Sequence, residues 1–333
     1  MTRRILLYAN AVALAATLLA SPTQAQDAGL IIYNAQHEAL GKDWTDAFTK
    51  ETGIAVTVRN GGDTEFANQI VAEGSASPAD VFLTENSPAM ALVDRAGLFA
   101  PVDAATLAQV PPQFRAADGN WVGIAARSTV FTYDKTKLTE DQLPKSMLDL
   151  ADPAWKGRWA ASPNGADFQA IVGAMLQLKG EAATAAWLGA MKENFTAYRS
   201  SSTVMKAVNA HEIEGGLIYH YYYFGDQAKT GENSANVGLH YFKNQDPGAF
   251  VSLSGGGVLA SSKHGAEAQA FLKWVTSPAG QAVLKDGTSF EYAVNGPSNA
   301  ALVPLADLDA PAVDASTLDS KKVIDLMTAA GLL

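Results

Sequence analysis

Leu30-Ile31-Ile32-Tyr33-Asn34, then Glu38 to Glu51, then Ile54-Ala55-Val56-Thr57-Val58, then Thr64 to Glu73, then Val81-Phe82-Leu83: this stretch sets the fold. The apolar runs are short, β-branched and bounded by turn residues, as buried strands are. Glu38 to Glu51 carries Leu40, Trp44, Ala47 and Phe48 on one face and ends at Gly53, so it reads as an amphipathic helix with a glycine stop. Asn60-Gly61-Gly62-Asp63 is a loop, and Thr64 to Glu73 reads as a second helix. The β-α-β-α-β alternation predicts a parallel sheet covered on both faces.

Further along, Val130-Phe131-Thr132-Tyr133 follows Arg127-Ser128 and is expected to be the first crossing into a second α/β lobe. Phe168 to Leu178, Ala182 to Glu193 and Ser202 to Asn209 read as helices of that lobe. The glycine-rich run Ser252 to Leu259 is expected to carry the chain back. Helices are also expected over Ala266 to Thr276, Gly280 to Lys285 and within Ser316 to Ala330. The expected division is residues 26–127 plus about 253–301 for the N-terminal lobe. Residues 128–252 plus about 302–333 form the C-terminal lobe on the same reading. Two lobes with more than one crossover make a hinged cleft. Ligands in such folds bind beyond the carboxyl ends of strands. Three polar segments fall there: Asn34-Ala35-Gln36-His37, Thr84-Glu85-Asn86 and the tyrosine cluster Tyr219-His220-Tyr221-Tyr222-Tyr223.

Met1-Thr2-Arg3-Arg4 is a basic start, Ile5 to Ala20 is apolar, and Thr23-Gln24-Ala25 supplies small residues at a cleavage site. This reads as a signal peptide of residues 1–25 rather than a membrane anchor. Thr2-Arg3-Arg4-Ile5-Leu6-Leu7 is also a partial twin-arginine signal, so either export route fits. There is no cysteine, which excludes lipid attachment through cysteine, disulfides and thiolate metal sites. An exported, cysteine-free chain fits the periplasm, whose oxidising conditions keep iron ferric. The whole chain has a formal charge of −10. Without residues 1–25 it has 22 basic and 34 acidic residues, a balance that argues against nucleic acid.

The tyrosine cluster carries the chemistry. A phenolate is a hard anionic oxygen donor, and a strongly polarising cation can displace its proton. Fe(III) suits that donor best among common metals. Read alone, the same tyrosines also serve as strand or core aromatics, His37 as a helix cap, and Glu85 as a solvated acid at a helix start. Adjacent tyrosines cannot face one site from a regular strand, because side chains alternate. They can converge from a strand-to-helix corner, which Leu217-Ile218 followed by Phe224-Gly225-Asp226 permits. Two phenolates and one carboxylate would balance a trivalent cation, and neutral imidazole is a common further donor.

Tyr33-Asn34-Ala35-Gln36-His37, Ser77-Pro78-Ala79-Asp80-Val81-Phe82 with Glu85, and Tyr221-Tyr222 resemble the periplasmic ferric-ion-binding proteins, the bacterial transferrin analogues. Leu178-Lys179-Gly180-Glu181 and Asp246-Pro247-Gly248-Ala249 match as well, so the resemblance spans the mature chain. It implies a type II-like, two-lobed periplasmic-binding-protein fold whose lobes close over the ion. It implies Fe(III) as cargo, held by His37, Glu85, Tyr221 and Tyr222. A synergistic anion (carbonate, citrate or phosphate) and water would complete the octahedron. It further implies a monomeric, non-catalytic carrier that feeds an inner-membrane ABC permease and ATPase. The anion pocket departs from the phosphate-holding pattern. Gly165-Ala166-Asp167 stands before Phe168 where a Ser-Gly-Ala turn is expected, and Tyr219 and Ser201 replace asparagines. Asn86, Arg127, Asp167 and Tyr219 are therefore the candidates for contacting an anion or supporting the ligands, with phosphate expected to be held weakly.

Two other classes compete. A small organic ligand such as thiamine, a polyamine or a phosphonate would use the tyrosines as a cation–π box. An enzyme is disfavoured, since the chain has no Gly-x-Ser-x-Gly elbow, His-Glu-x-x-His, phosphate-binding loop or dinucleotide fingerprint.

Overall fold

The computed structural model describes residues 29–333, so the signal-peptide reading of residues 1–25 lies outside the described residues. The chain opens with β1 (Leu30–Asn34), α1 (Glu38–Thr52), β2 (Val56–Asn60), α2 (Asp63–Glu73) and β3 (Val81–Leu83). Helices α3 (Ser87–Arg95) and α4 (Ala104–Leu107) precede the long strand β4 (Val122–Asp134). Then come β5 (Trp159–Ala161), α5 (Ala166–Lys179), α6 (Glu181–Asn194), β6 (Phe195–Ala197) and α7 (Ser201–Asn209). The tyrosine cluster lies across β7 (Gly215–Tyr219) and α8 (Tyr221–Lys229). The remainder is β8 (Val237–His240), β9 (Val251–Val258), α9 (Gly265–Val275), α10 (Pro278–Asp286) and α11 (Ser320–Ala329).

Helix α1 forms because Leu40, Trp44 and Phe48 recur at helical spacing and all become buried. Gly53 ends it in the left-handed conformation (φ 75°), returning its N–H to Thr49. Each buried side chain of this size contributes about 1.5–3 kcal/mol relative to exposure.

The sheet corrects one expectation. β1 pairs in parallel with β2 and β3, but β9 is antiparallel to β3 and β4 is antiparallel to β9. The sheet is therefore mixed, with order β2-β1-β3-β9-β4-β7-β5-β6 and β8 also on β4. The inserted strand is closely packed. A Cβ at Gly255 would stand 2.2 Å from Met90, and one at Gly257 2.6 Å from Phe99. The glycine run lets neighbouring side chains press onto β9.

β4 belongs to both halves of the sheet. Val122 to Ser128 pairs with β9, whereas Thr129 to Tyr133 pairs with β7. The handover falls directly after Arg127-Ser128. On one side Leu30, Trp44, Ile124 and Leu272 share a core; on the other Phe131, Trp159, Phe168 and Leu217 share a second. Leu302 and Leu308 pack into the first core, while Val323 and Met327 of α11 pack into the second. Among the described residues no helix is long and apolar enough to cross a membrane.

Candidate metal centre

Three strand-to-helix corners meet at one place. After β1, Ala35-Gln36-His37 leads into α1; after β3, Thr84-Glu85-Asn86 leads into α3; after β7, His220 leads into α8. The three polar segments expected at strand ends therefore converge. His37 occupies the N-cap position of α1 but makes no side-chain cap bond, which removes the capping role. The corner between β7 and α8 turns Tyr221 and Tyr222 to the same side. Their rings stack with centroids 4.3 Å apart and 30° between planes.

His37, Glu85 and Tyr221 meet at a single oxygen. His37 Nε2 lies 3.0 Å from Glu85 Oε1, and the Tyr221 hydroxyl donates to the same oxygen at 2.9 Å. The Tyr222 hydroxyl donates to Asp167 Oδ2 at 3.0 Å. Asp167 also accepts from Asn86 Nδ2 at 3.3 Å and from Ser201 Oγ at 3.2 Å. Tyr219 is wholly buried behind them, its hydroxyl 3.3 Å from Asn86 Oδ1. Arg127 is also wholly buried. It turns Nη2 to Glu291 Oε2 (3.0 Å) and Gln36 Oε1 (2.9 Å), stands 4.0 Å from Glu85, and covers the Tyr221 ring at 5.6 Å. Its strongest contacts thus go away from the tyrosine hydroxyls, towards Glu291.

The electrostatics differ sharply within this cluster. Burial opposes a charge on His37, yet hydrogen bonds to Glu291 and Glu85 outweigh it and raise the imidazole to about 10. Burial likewise opposes charge on Glu85, but Arg127 and His37 hold that carboxyl down to about 2. Burial and the adjacent Asp167 and Glu85 push both Tyr221 and Tyr222 well above 10. Asp167 rises to about 6 through burial and Glu85, against the pull of Arg127. Without a cation the phenols keep their protons and imidazolium stands against carboxylate. A trivalent ion reverses that balance, because it displaces protons from every oxygen and nitrogen it takes. Among the described residues no group of three or more His, Cys, Asp or Glu side chains makes a metal site.

Residues 76–315 match the family of bacterial extracellular solute-binding proteins.

The chain belongs to that family.

Relatives extend the match to nearly the whole chain. It is 70% identical over 309 residues to the Fe(3+)-binding periplasmic protein of Serratia marcescens, covering 92% of this chain and 91% of that protein. It is 38% identical over 317 residues to the major ferric iron-binding protein of Neisseria meningitidis serogroup B, covering 93% and 94%. The structure of iron-bound HitA from Pseudomonas aeruginosa superposes with a TM-score of 0.84 at 39% identity, covering 91% of this chain and 99% of that one. The fold of this solute-binding protein is thus the two-lobed α/β architecture of periplasmic binding proteins.

Two acids of this solute-binding protein carry no signal in the sequence. Asp63 opens α2 and accepts from the backbone N–H of Glu85 (2.8 Å) and of Asn86 (2.9 Å), so it clamps the corner that presents Glu85. Burial and Glu85 raise it to about 7. Glu291 is wholly buried between Arg127 and His37. His220 is buried and accepts from the Ser128 N–H at Nδ1 (3.2 Å) where β4 changes partners.

Proposed function

We propose that this solute-binding protein is a periplasmic carrier of Fe(III), held by His37 Nε2, Glu85, Tyr221 and Tyr222. It delivers the ion to an inner-membrane ABC permease and ATPase, acts as a monomer and catalyses nothing. The observation that carries this reading is the convergence of two adjacent tyrosine hydroxyls, from one corner, on carboxylates (Glu85 for Tyr221, Asp167 for Tyr222) beside an imidazole. Such a cluster is protonated and inert until a hard, highly charged cation enters. Two phenolates and the Glu85 carboxylate then supply three negative charges.

The arrangement disfavours an organic cargo. A cation–π box needs free ring faces, and here Tyr221 is stacked on Tyr222 on one hand and covered by Arg127 on the other. Asp167 supports a weak exogenous anion. The donors an anion would need, Asn86 and Ser201, already bond its carboxylate. Asp167 then stands as an oxygen donor beside Tyr222, and carbonate, citrate, phosphate or water take only what remains. Arg127 gives Nη2 to Glu291 and Gln36 but keeps Nε and Nη1 buried without hydrogen-bond partners, so it stays a candidate for holding that anion. The lobes of this carrier follow the cores. Residues 26–127 and 128–252 start the two lobes, as the pairing of β4 supports. The return to the C-terminal lobe is placed at about 302 on the same reading; Leu302 and Leu308 still pack with the first core, and Val313 packs with the second.

The test is chelator-competition titration of the mature protein with Fe(III), beside calorimetric titrations with thiamine, spermidine and an alkylphosphonate. One tightly held ferric ion per chain and no heat from the organic ligands is the expected result. Tight binding of an organic ligand with only loose iron would overturn it.

A further inference from the structure

Glu291 reaches the metal centre from far along the chain. Its segment is held by two backbone bonds between Tyr292 and Ala126, N to O at 2.8 Å and O to N at 2.9 Å. Its carboxylate is wholly buried, and the two oxygens have different duties. Oε2 takes Arg127 Nη2 at 3.0 Å, Gln36 Nε2 at 3.2 Å and Ser254 Oγ at 3.3 Å. Oε1 faces His37 Nδ1 at 3.2 Å, an ion-pair contact outside hydrogen-bond geometry, and is otherwise a buried oxygen without a partner. A counterion for Arg127 alone would need only the first oxygen.

We propose that Glu291 is a positioning residue for iron binding: it takes the Nδ1–H of His37 and thereby aims Nε2, with its lone pair, at the metal. The proposal rests on His37 being an iron ligand. An imidazole has two nitrogens, and the hydrogen bond at one decides which is free to ligate. With Nδ1–H held by Glu291, the free nitrogen is Nε2, the one beside Glu85 and Tyr221. The same network fixes the backbone of the histidine. Gln36 Oε1 accepts from His37 N at 2.7 Å and from Arg127 Nη2 at 2.9 Å. Arg127 therefore anchors Glu291 and Gln36 together, and those two set the ring and the main chain of His37. The charge of Glu291 also supports the ring as a donor, since a carboxylate behind a ligating imidazole raises its basicity.

The test is a double-mutant cycle read by Fe(III) chelator competition on wild type, Glu291→Gln, His37→Ala and the double variant. Pulsed EPR of the ferric complex, which detects nitrogen bound to iron, is recorded alongside. Glu291→Gln should weaken binding by about 10- to 100-fold, the range for losing the partner of a ligating histidine. On the His37→Ala background the same change should alter affinity by less than about 2-fold. The nitrogen coupling should shift in Glu291→Gln, a signature that a general loss of packing does not produce. Glu291→Asp provides a second route where Glu291→Gln destabilises the fold. It keeps a carboxylate near Arg127 but withdraws it from Nδ1 by roughly 1.5 Å, so the iron-free protein should melt near wild type while affinity still falls. Equal losses on both backgrounds, or no loss in either Glu291 variant, would overturn the proposal. A wild-type ferric complex without nitrogen coupling, together with a silent His37→Ala, would instead remove the histidine itself from the site.

Discussion

On one wall of the cleft, Glu85, His37, Glu291 and Arg127 form a run of ion pairs, linked at 3.0, 3.2 and 3.0 Å. On the other, Tyr221 and Tyr222 hold neutral hydroxyls against Glu85 and Asp167 at 2.9 and 3.0 Å. The first wall is charged before any cargo arrives. Arg127 and Glu291 pair at full burial, and Arg127 together with His37 keeps Glu85 ionised. The second wall becomes charged only when a cation strips the phenol protons. On the proposed ligand set, the first wall supplies geometry and one of the protons that iron must displace, and the second supplies the other two.

The largest effect that sharpens this contrast is that of pH. His37, lifted from its ordinary 6.5 to about 10, is imidazolium at neutral pH, and both phenols are protonated. With His37, Tyr221 and Tyr222 as the proposed ligands, binding Fe(III) displaces all three protons, so affinity for the free ion rises with pH and falls with acid. Roughly three protons per ion should appear in a pH-stat titration near neutrality, equivalent to about a thousandfold in affinity per pH unit. Release of a single proton would mean that the phenol wall does not ligate.

Next come the tyrosines. Tyr221→Phe and Tyr222→Phe each remove an anionic donor and leave the cation undercompensated. Each should weaken binding by on the order of a thousandfold, the scale of losing one partner of a buried charge pair. His37→Ala and Glu85→Ala should cost less, about 10- to 100-fold, because water can replace the neutral imidazole and a small anion can replace the carboxylate and its charge. Chelator competition on the four variants ranks the walls. A ranking in which His37 and Glu85 outweigh both tyrosines would break the comparison.

The smallest effect is expected from the exogenous anion. Loading in phosphate, carbonate or citrate should change affinity by less than about tenfold, because Asp167 already engages Asn86 and Ser201. Asp167→Ala should free those donors and make affinity depend on the anion. If wild type is strongly phosphate-dependent, Asp167 is not shielding the pocket.

Much of this wall structure is legible in the sequence, but unevenly. The corner at Tyr221-Tyr222 follows from an apolar strand run that stops and a helix that starts. His37 and Glu85 fall in the polar turns after strands of an α/β pattern, but alone they read equally as a helix cap and a solvated acid; the resemblance to ferric-ion-binding proteins singles them out. Glu291 is not legible, because it lies in an irregular segment with no periodicity and meets His37 only through the tertiary fold. Asp63 looks like any helix-start acid until its carboxylate is seen clamping the Glu85 corner. Helix α3 is masked by Pro88, which reads as a breaker yet sits in the first turn, where proline is tolerated. Strands β5, β6 and β8 have only three or four residues, too few to show a period. The antiparallel place of β9 is set by which distant strands it joins, β3 and β4, a long-range pairing with no local signature.

The central claim, that Tyr221 and Tyr222 ligate Fe(III) as phenolates, is tested most directly by the visible spectrum of the mature protein during ferric titration, beside Tyr221→Phe and Tyr222→Phe. A broad phenolate-to-iron charge-transfer band should grow to saturation at one ion per chain, vanish with a strong chelator, and shift and weaken in either variant. Stoichiometric Fe(III) binding without such a band, or a band untouched by both substitutions, would contradict the account.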